Sequence, residues 1–195
     1  MEHGRVLHFL KERTAPQHES LECRVDLANR LRDPGAYAGL LGCFHGFYAP
    51  LEDALGRVAG FEAVGIDFGA RRKTPWLAAD LAALGRRPGE FPLCESTPAV
   101  DSLGRALGCL YVLEGATLGG KVVTKMVASR LGLTPGRGCA FFASYGDRVG
   151  AMWGEFRSAL ADYTTAPARE EEILSAAAET FDALGHWLAA AEVTT

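Results

Sequence analysis

The stretch from Ser96 to Gly132, STPAVDSLGRALGCLYVLEGATLGG followed by KVVTKMVASRLG, constrains this chain more than any other. Thr97 reads as an N-cap, Pro98 suits the first helical position, and Gly132 can close the far end. Between them Leu103, Leu107, Leu110, Val112, Leu113 and Leu118 supply the apolar pattern of one long helix. Yet Gly104, Gly108, Gly115, Gly119 and Gly120 fall inside it. Each glycine within a helix costs roughly 0.5–1 kcal/mol relative to alanine, so five of them imply that something comes close to the backbone or that the helix bends. Gly115 and Gly119 are one turn apart and share a face, with Gly108 about two turns earlier. Such spacing would suit helix pairing in a membrane, but charged residues interrupt the pattern. Two readings stay open: a smooth face packed on a neighbouring helix, or a bendable platform laid against a planar ligand.

The remaining segments also read as helices. Arg5–Arg13 is a short helical lead-in. Thr14-Ala15-Pro16-Gln17 fits a capping box that would open a second helix, or else one helix runs through and bends at Pro16. From Ala15 to Leu31, His18, Leu21, Val25 and Ala28 recur at helical spacing, which places His18 on the apolar stripe. Asp33-Pro34 opens a helix with an aromatic inner face of Phe44, Phe47 and Tyr48, and Pro50 marks a kink. Gly60–Arg72 is a weakly structured loop, and Thr74-Pro75 caps a short helix through Leu84. Cys139–Tyr163 bends near Tyr145-Gly146, and Thr165-Ala166-Pro167 opens the last helix, through Ala191. No segment shows strand alternation. The expected fold is all-α: one compact domain over residues 1–195, a bundle of about six to eight helices.

Composition excludes several classes of function. A net charge of −4 with no basic block argues against nucleic acid as the main partner. No purely apolar run reaches the ~18 residues that span a bilayer, and the N-terminus lacks a signal-peptide core, so no membrane role is expected. Five widely spaced cysteines without a C-x-x-C pattern read as reduced thiols of a cytoplasmic protein.

The chemistry centres on His18. A histidine on an apolar stripe is often plain core, but two neighbours favour ligation. Glu22 follows one turn later, placed to accept the proton of the imidazole nitrogen that does not bind a metal. Lys11 and Arg13 put positive charge near the same end of the helix. An imidazole facing a glycine-surfaced helix, with cations at the rim, offers what haem needs: a nitrogen for iron, a flat face for the macrocycle and partners for the propionates.

LKERTAPQHESLE (Leu10–Glu22) resembles the proximal helix of haem oxygenases, and YVLEGATLGGKVV (Tyr111–Val123) their distal helix, in the bacterial branch associated with bacteriophytochromes. The order and separation of the two motifs fit over essentially the whole chain. The resemblance implies an enzyme that uses O₂ and an external electron donor to open haem, both cofactor and substrate, to biliverdin, Fe²⁺ and CO. It makes His18 the iron ligand, Glu22 its companion carboxylate and Lys11 a propionate partner. Gly115, Gly119 and Gly120 become the distal glycines. Tyr145 and Arg148 match further propionate partners, and Phe181 a residue at the haem edge. A ferredoxin or flavoprotein reductase would supply electrons, for which Lys121, Lys125 and Arg130 offer a basic face, and a bacteriophytochrome could accept the biliverdin. The clear departure is Ala116, where better-known members carry an aspartate that organises water around bound O₂. Glu114, about 200° away around the helix, is no substitute. A haem carrier or sensor without turnover is the alternative that Ala116 supports.

Overall fold

In the computed structural model, residues 5–164 and 166–192 are described, without the side chains of Glu22, Ala191 and Glu192. The expected opening of the last helix at Thr165 therefore lies outside them. Seven helices of ten or more residues form the fold: α1 (Arg5–Val25), α2 (Pro34–Leu55), α3 (Thr74–Ala83), α4 (Leu103–Gly115), α5 (Gly120–Leu131), α6 (Val149–Tyr163) and α7 (Pro167–Glu192). Single turns lie at Leu27–Arg30 and Ala140–Ala143. No β-strand occurs among the described residues, only an isolated bridge at Thr134. The all-α expectation holds.

α1 is a single helix with Pro16 inside it. The capping-box alternative fails because the Thr14 hydroxyl turns back to donate to the Leu10 carbonyl (2.7 Å) from a buried position, the usual mid-helix use of threonine. α2 starts as its sequence dictates. Asp33 accepts from the Ala36 amide (2.8 Å) and Pro34 follows in the first turn. Its inner face buries Tyr37, Leu40, Leu41, Phe47, Tyr48 and Leu51, which supply much of the core.

The expected long helix over 97–132 is broken. Ser102, not Thr97, caps α4 by accepting from the Arg105 amide (3.1 Å). α4 ends at Gly115, a 3₁₀ turn covers Ala116–Gly119, and α5 resumes at Gly120. Gly132, with φ 66°, closes α5 in the left-handed conformation that glycine adopts without penalty. By mean hydropathy, Leu103–Leu131 is apolar enough to cross a membrane, contrary to the sequence expectation. Over half of its most apolar stretch, however, is buried within the fold.

α7 is the spine. Arg5 and Arg13 of α1 meet Glu170 and Glu171, His18 meets Phe181, and the Arg24 side chain passes Gly185. Along α4, Ser102 meets Glu172, Gly108 lies on Ile173 and Ala176, and Cys109 meets Thr180. Contact numbers rise together in both pairs, so α1 and α4 each run in the same sense as α7.

Candidate functional site

The glycines of α4 and α5 divide into two groups with different physical reasons. Gly108 permits close helix packing: a Cβ there would stand 2.5 Å from the Ile173 carbonyl oxygen and 2.7 Å from the Ala176 methyl. Gly104 likewise lets the Glu172 carboxylate approach, and Gly120 lies against the Phe142 carbonyl. By contrast, a Cβ on Gly115 or Gly119 would meet nothing within 4 Å. Both readings of the glycine pattern therefore apply, to different residues. Gly120, expected with Gly115 and Gly119 as a distal glycine, is instead buried and lies against the Phe142 carbonyl of the Ala140–Ala143 turn.

The open face is apolar. Leu118 and Val122 are 50% and 64% exposed beside Gly119, where a closed core would have covered them. Opposite stands α1. Tyr111 of α4 meets the Thr14 hydroxyl of α1, and burial raises the Tyr111 pKa, keeping it protonated. One turn beyond that contact, along helices running in the same sense, come His18 on α1 and Gly115 on α4. His18 is exposed, and its ring stands edge-on to Phe181 with centroids 5.9 Å apart. Phe181 is almost fully buried and also lines a cleft of about 290 Å³ between α1 and α7.

Of the other expected site residues, Lys11 and Arg148 are exposed, and Arg148 reaches the Met152 sulfur at 3.7 Å. The Glu22 side chain lies outside the described residues. Tyr145 is not available as a propionate partner. Its hydroxyl donates to Glu114 Oε1 (2.7 Å) and accepts from Lys73 Nζ (3.0 Å). Burial and the Glu114 charge hold its pKa above the ordinary tyrosine value, so it remains a donor.

That contact belongs to a buried ionic cluster which sequence reasoning missed. Glu114, directly before Gly115, also accepts from Arg71 Nη1 (2.6 Å) and Lys73 Nζ (2.5 Å), with all three side chains at most 3% exposed. Arg71 further donates to the Met152 carbonyl (3.1 Å) and to Glu155 (3.3 Å). Glu52, equally buried, accepts from the Lys73 amide (2.6 Å), the Thr74 hydroxyl (2.7 Å) and Arg72 (3.4 Å). Burial lowers the Lys73 pKa, and Glu114 opposes the shift. Two buried cations thus meet the buried Glu114, while the buried Glu52 takes the partly exposed Arg72 together with amide and hydroxyl donors, the condition under which charge is tolerated inside a fold. The only signal in the sequence was a run of basic residues, Arg71-Arg72-Lys73, ahead of a helix, which by itself reads as solvated surface.

Comparisons with known proteins agree with this arrangement. The Heme oxygenase family profile matches residues 92–190, which include both groups of glycines. A protein named Heme oxygenase from Xanthomonas campestris pv. campestris is 32% identical over 148 residues, covering 75% of this chain and 85% of the relative. Among solved structures, the NO- and CO-bound haem oxygenase of Neisseria meningitidis superposes with a TM-score of 0.82 at 22% identity, over 93% of this chain and 89% of that one. Haem oxygenase from Leptospira interrogans gives 0.76 at 19% identity, over 97% and 100%. The two structures share the fold. From the family profile and the Xanthomonas relative, the chain belongs to the haem oxygenase family.

Proposed function

We propose that this chain binds haem between the His18 face of α1 and the open glycines of Gly115–Gly119, and opens it to biliverdin, Fe²⁺ and CO. The observation that carries the reading is that an exposed imidazole on α1 and the open, apolar Gly115–Gly119 segment each begin one turn beyond the Thr14–Tyr111 contact. The residues fit the group: an imidazole nitrogen on one side, and on the other backbone that a flat macrocycle can approach closely.

Bound haem supplies the redox-active iron and is itself the molecule oxidised, with O₂ and an external electron donor as co-reactants. His18 would hold the iron through one imidazole nitrogen, and a carboxylate one turn on, the role expected of Glu22, would accept the proton of the other. Phe181 limits how that ring can turn. Gly115 and Gly119 would let the macrocycle approach the backbone, and Leu118 and Val122 would pack on it and exclude water. Lys11 and Arg148 are the cations for the propionates, with Tyr145 withdrawn into the ionic cluster. At Ala116 a methyl group stands where an acid could have held water, so backbone and ordered water carry the polar contacts on this side. Lys121 and Lys125 are exposed on α5 and form the docking face for an acidic reductase such as a ferredoxin. Arg130, on the same helix, donates to the Ala28 carbonyl (3.0 Å). The five free thiols accord with a reducing, cytoplasmic setting.

The test is a visible spectrum of the purified protein with one equivalent of hemin, followed in air after ascorbate or a reductase–ferredoxin system is added with catalase present. Loss of the Soret band with growth of the broad red absorption of biliverdin is expected. A stable haem spectrum would instead identify a carrier or sensor, the reading that Ala116 favours. No haem spectrum would refute the site.

A further inference from the structure

We infer that Glu114, clamped by Arg71 and Lys73, is a positioning residue that sets the height and bend of the Gly115–Gly119 segment. The inference rests on the reading that this segment covers the haem. Three observations support it. Glu114 is the last side chain before the open glycines and takes three donors, Arg71, Lys73 and Tyr145, so its place is fixed from three directions. The donors come from elements fastened elsewhere: residues 71–74 are tied to α2 through Glu52, and Arg71 to α6 through Met152. Past the glycines, the chain is fixed again where Gly120 lies on the Phe142 carbonyl.

The segment is therefore a span held at both ends, with open space over Gly115 and Gly119. Within it the Thr117 hydroxyl donates to the Glu114 carbonyl (2.7 Å), so its one buried side chain also refers back to Glu114. A 3₁₀ turn is a poorly bonded conformation, and this one ends on Gly119 and lies between Gly115 and Gly120, whose backbone is intrinsically free. Its shape must come from its ends. Because Ala116 contributes no polar side chain, the position of the backbone itself decides how the space above the iron is filled. A displacement of an ångström matters there, since reactions on a bound substrate depend steeply on placement.

Three variants test this: Glu114→Gln, Tyr145→Phe and the double variant Glu114→Gln/Lys73→Met. The double variant removes one buried carboxylate together with one buried cation and leaves Arg71 its contacts with Met152 and Glu155, so it keeps the fold even if the single glutamine does not. Amide hydrogen exchange on the haem-free protein is the first readout. Exchange across 115–119 should be roughly ten- to hundredfold faster in the double variant, and less so in Tyr145→Phe, with the α7 amides of Ala176 and Ala177 unchanged. In the hemin complex, turnover should fall while hemin affinity is held within a few-fold, and the distribution of biliverdin isomers should shift. Unchanged exchange at 115–119 in a folded double variant overturns the inference. So does acceleration shared equally by α7, which would mark Glu114 as general core. The exchange readout needs no haem, so failure of the unaltered protein to bind hemin refutes the functional reading separately.

Discussion

Replacing Gly115 by alanine separates the two tasks a glycine can have in this segment. Gly115 has φ −57° and ψ −38°, inside the right-handed helical region, so alanine adopts its conformation without strain. A methyl group there would meet nothing within 4 Å. In the haem-free protein the substitution should stabilise by about 0.5–1 kcal/mol, because alanine restricts the unfolded chain and favours the helix. For a chain of this length that is a rise of roughly 1–4 °C in Tm. In the haem complex the same methyl group enters the space the macrocycle occupies. Crowding a packed contact by one methyl group costs about 1–3 kcal/mol, which weakens hemin binding by roughly five- to 150-fold. Thermal unfolding followed by circular dichroism gives the first quantity, and a Soret-band titration the second. A lower Tm in the haem-free variant would mean that the face is not open. A raised Tm with unchanged hemin affinity and turnover would mean that it is open but does not cover haem.

The other glycines should behave in the opposite way. Gly108→Ala places a methyl group 2.5 Å from the Ile173 carbonyl oxygen, a backbone atom that cannot swing aside. It should lower stability by about 1–3 kcal/mol, seen as a reduced urea midpoint at unchanged slope. His18→Ala should abolish turnover with the helical circular dichroism spectrum preserved, and added imidazole should restore a haem spectrum. Normal biliverdin formation without imidazole would refute the ligand assignment. Glu179 joins α7 to α4 through Arg105 (2.5 Å), and the Arg105 hydrogen bond holds its carboxyl below the ordinary value of 4.5. A carboxyl whose pKa is lower in the folded state contributes stability above its unfolded pKa, and that contribution is lost as pH falls through the folded one. The stability gap between the parent protein and Glu179→Gln should therefore be constant near neutrality and close in acid below the usual carboxylate range. A gap that persists at the acid end would show the pair to be electrostatically idle.

The sequence by itself determined the fold class, several helix ends and which residues share a face with His18 and with Gly115. These depend on local rules: Asp33-Pro34 starts α2 because both effects act within one turn, and the 3.6-residue period fixes which side chains share a face with His18 or with Gly115. Period also showed that the glycines needed an external reason. It could not say which reason, because a missing Cβ looks the same whether the space is filled by α7, as at Gly108, or left open, as at Gly115. That distinction belongs to whatever lies across the helix.

Only the tertiary structure decided the rest. Glu114 finds Arg71 and Lys73 across 43 and 41 residues of chain, and no local pattern encodes a pairing at that distance. The same cluster engages the Tyr145 hydroxyl, although its type and place in the chain suited a propionate partner. Ser102 displaced Thr97 as the cap of α4 at a site where its hydroxyl also reaches Glu172 of α7, an advantage visible only once the two helices are packed. Thr14 was read as a cap from its spacing, but burial beneath Tyr111 turned its hydroxyl back to the Leu10 carbonyl. Local sequence sets what each segment can become and which residues it presents. Packing decides which of those residues are used up in holding the structure together and which, like Gly115 and Gly119, keep an open face.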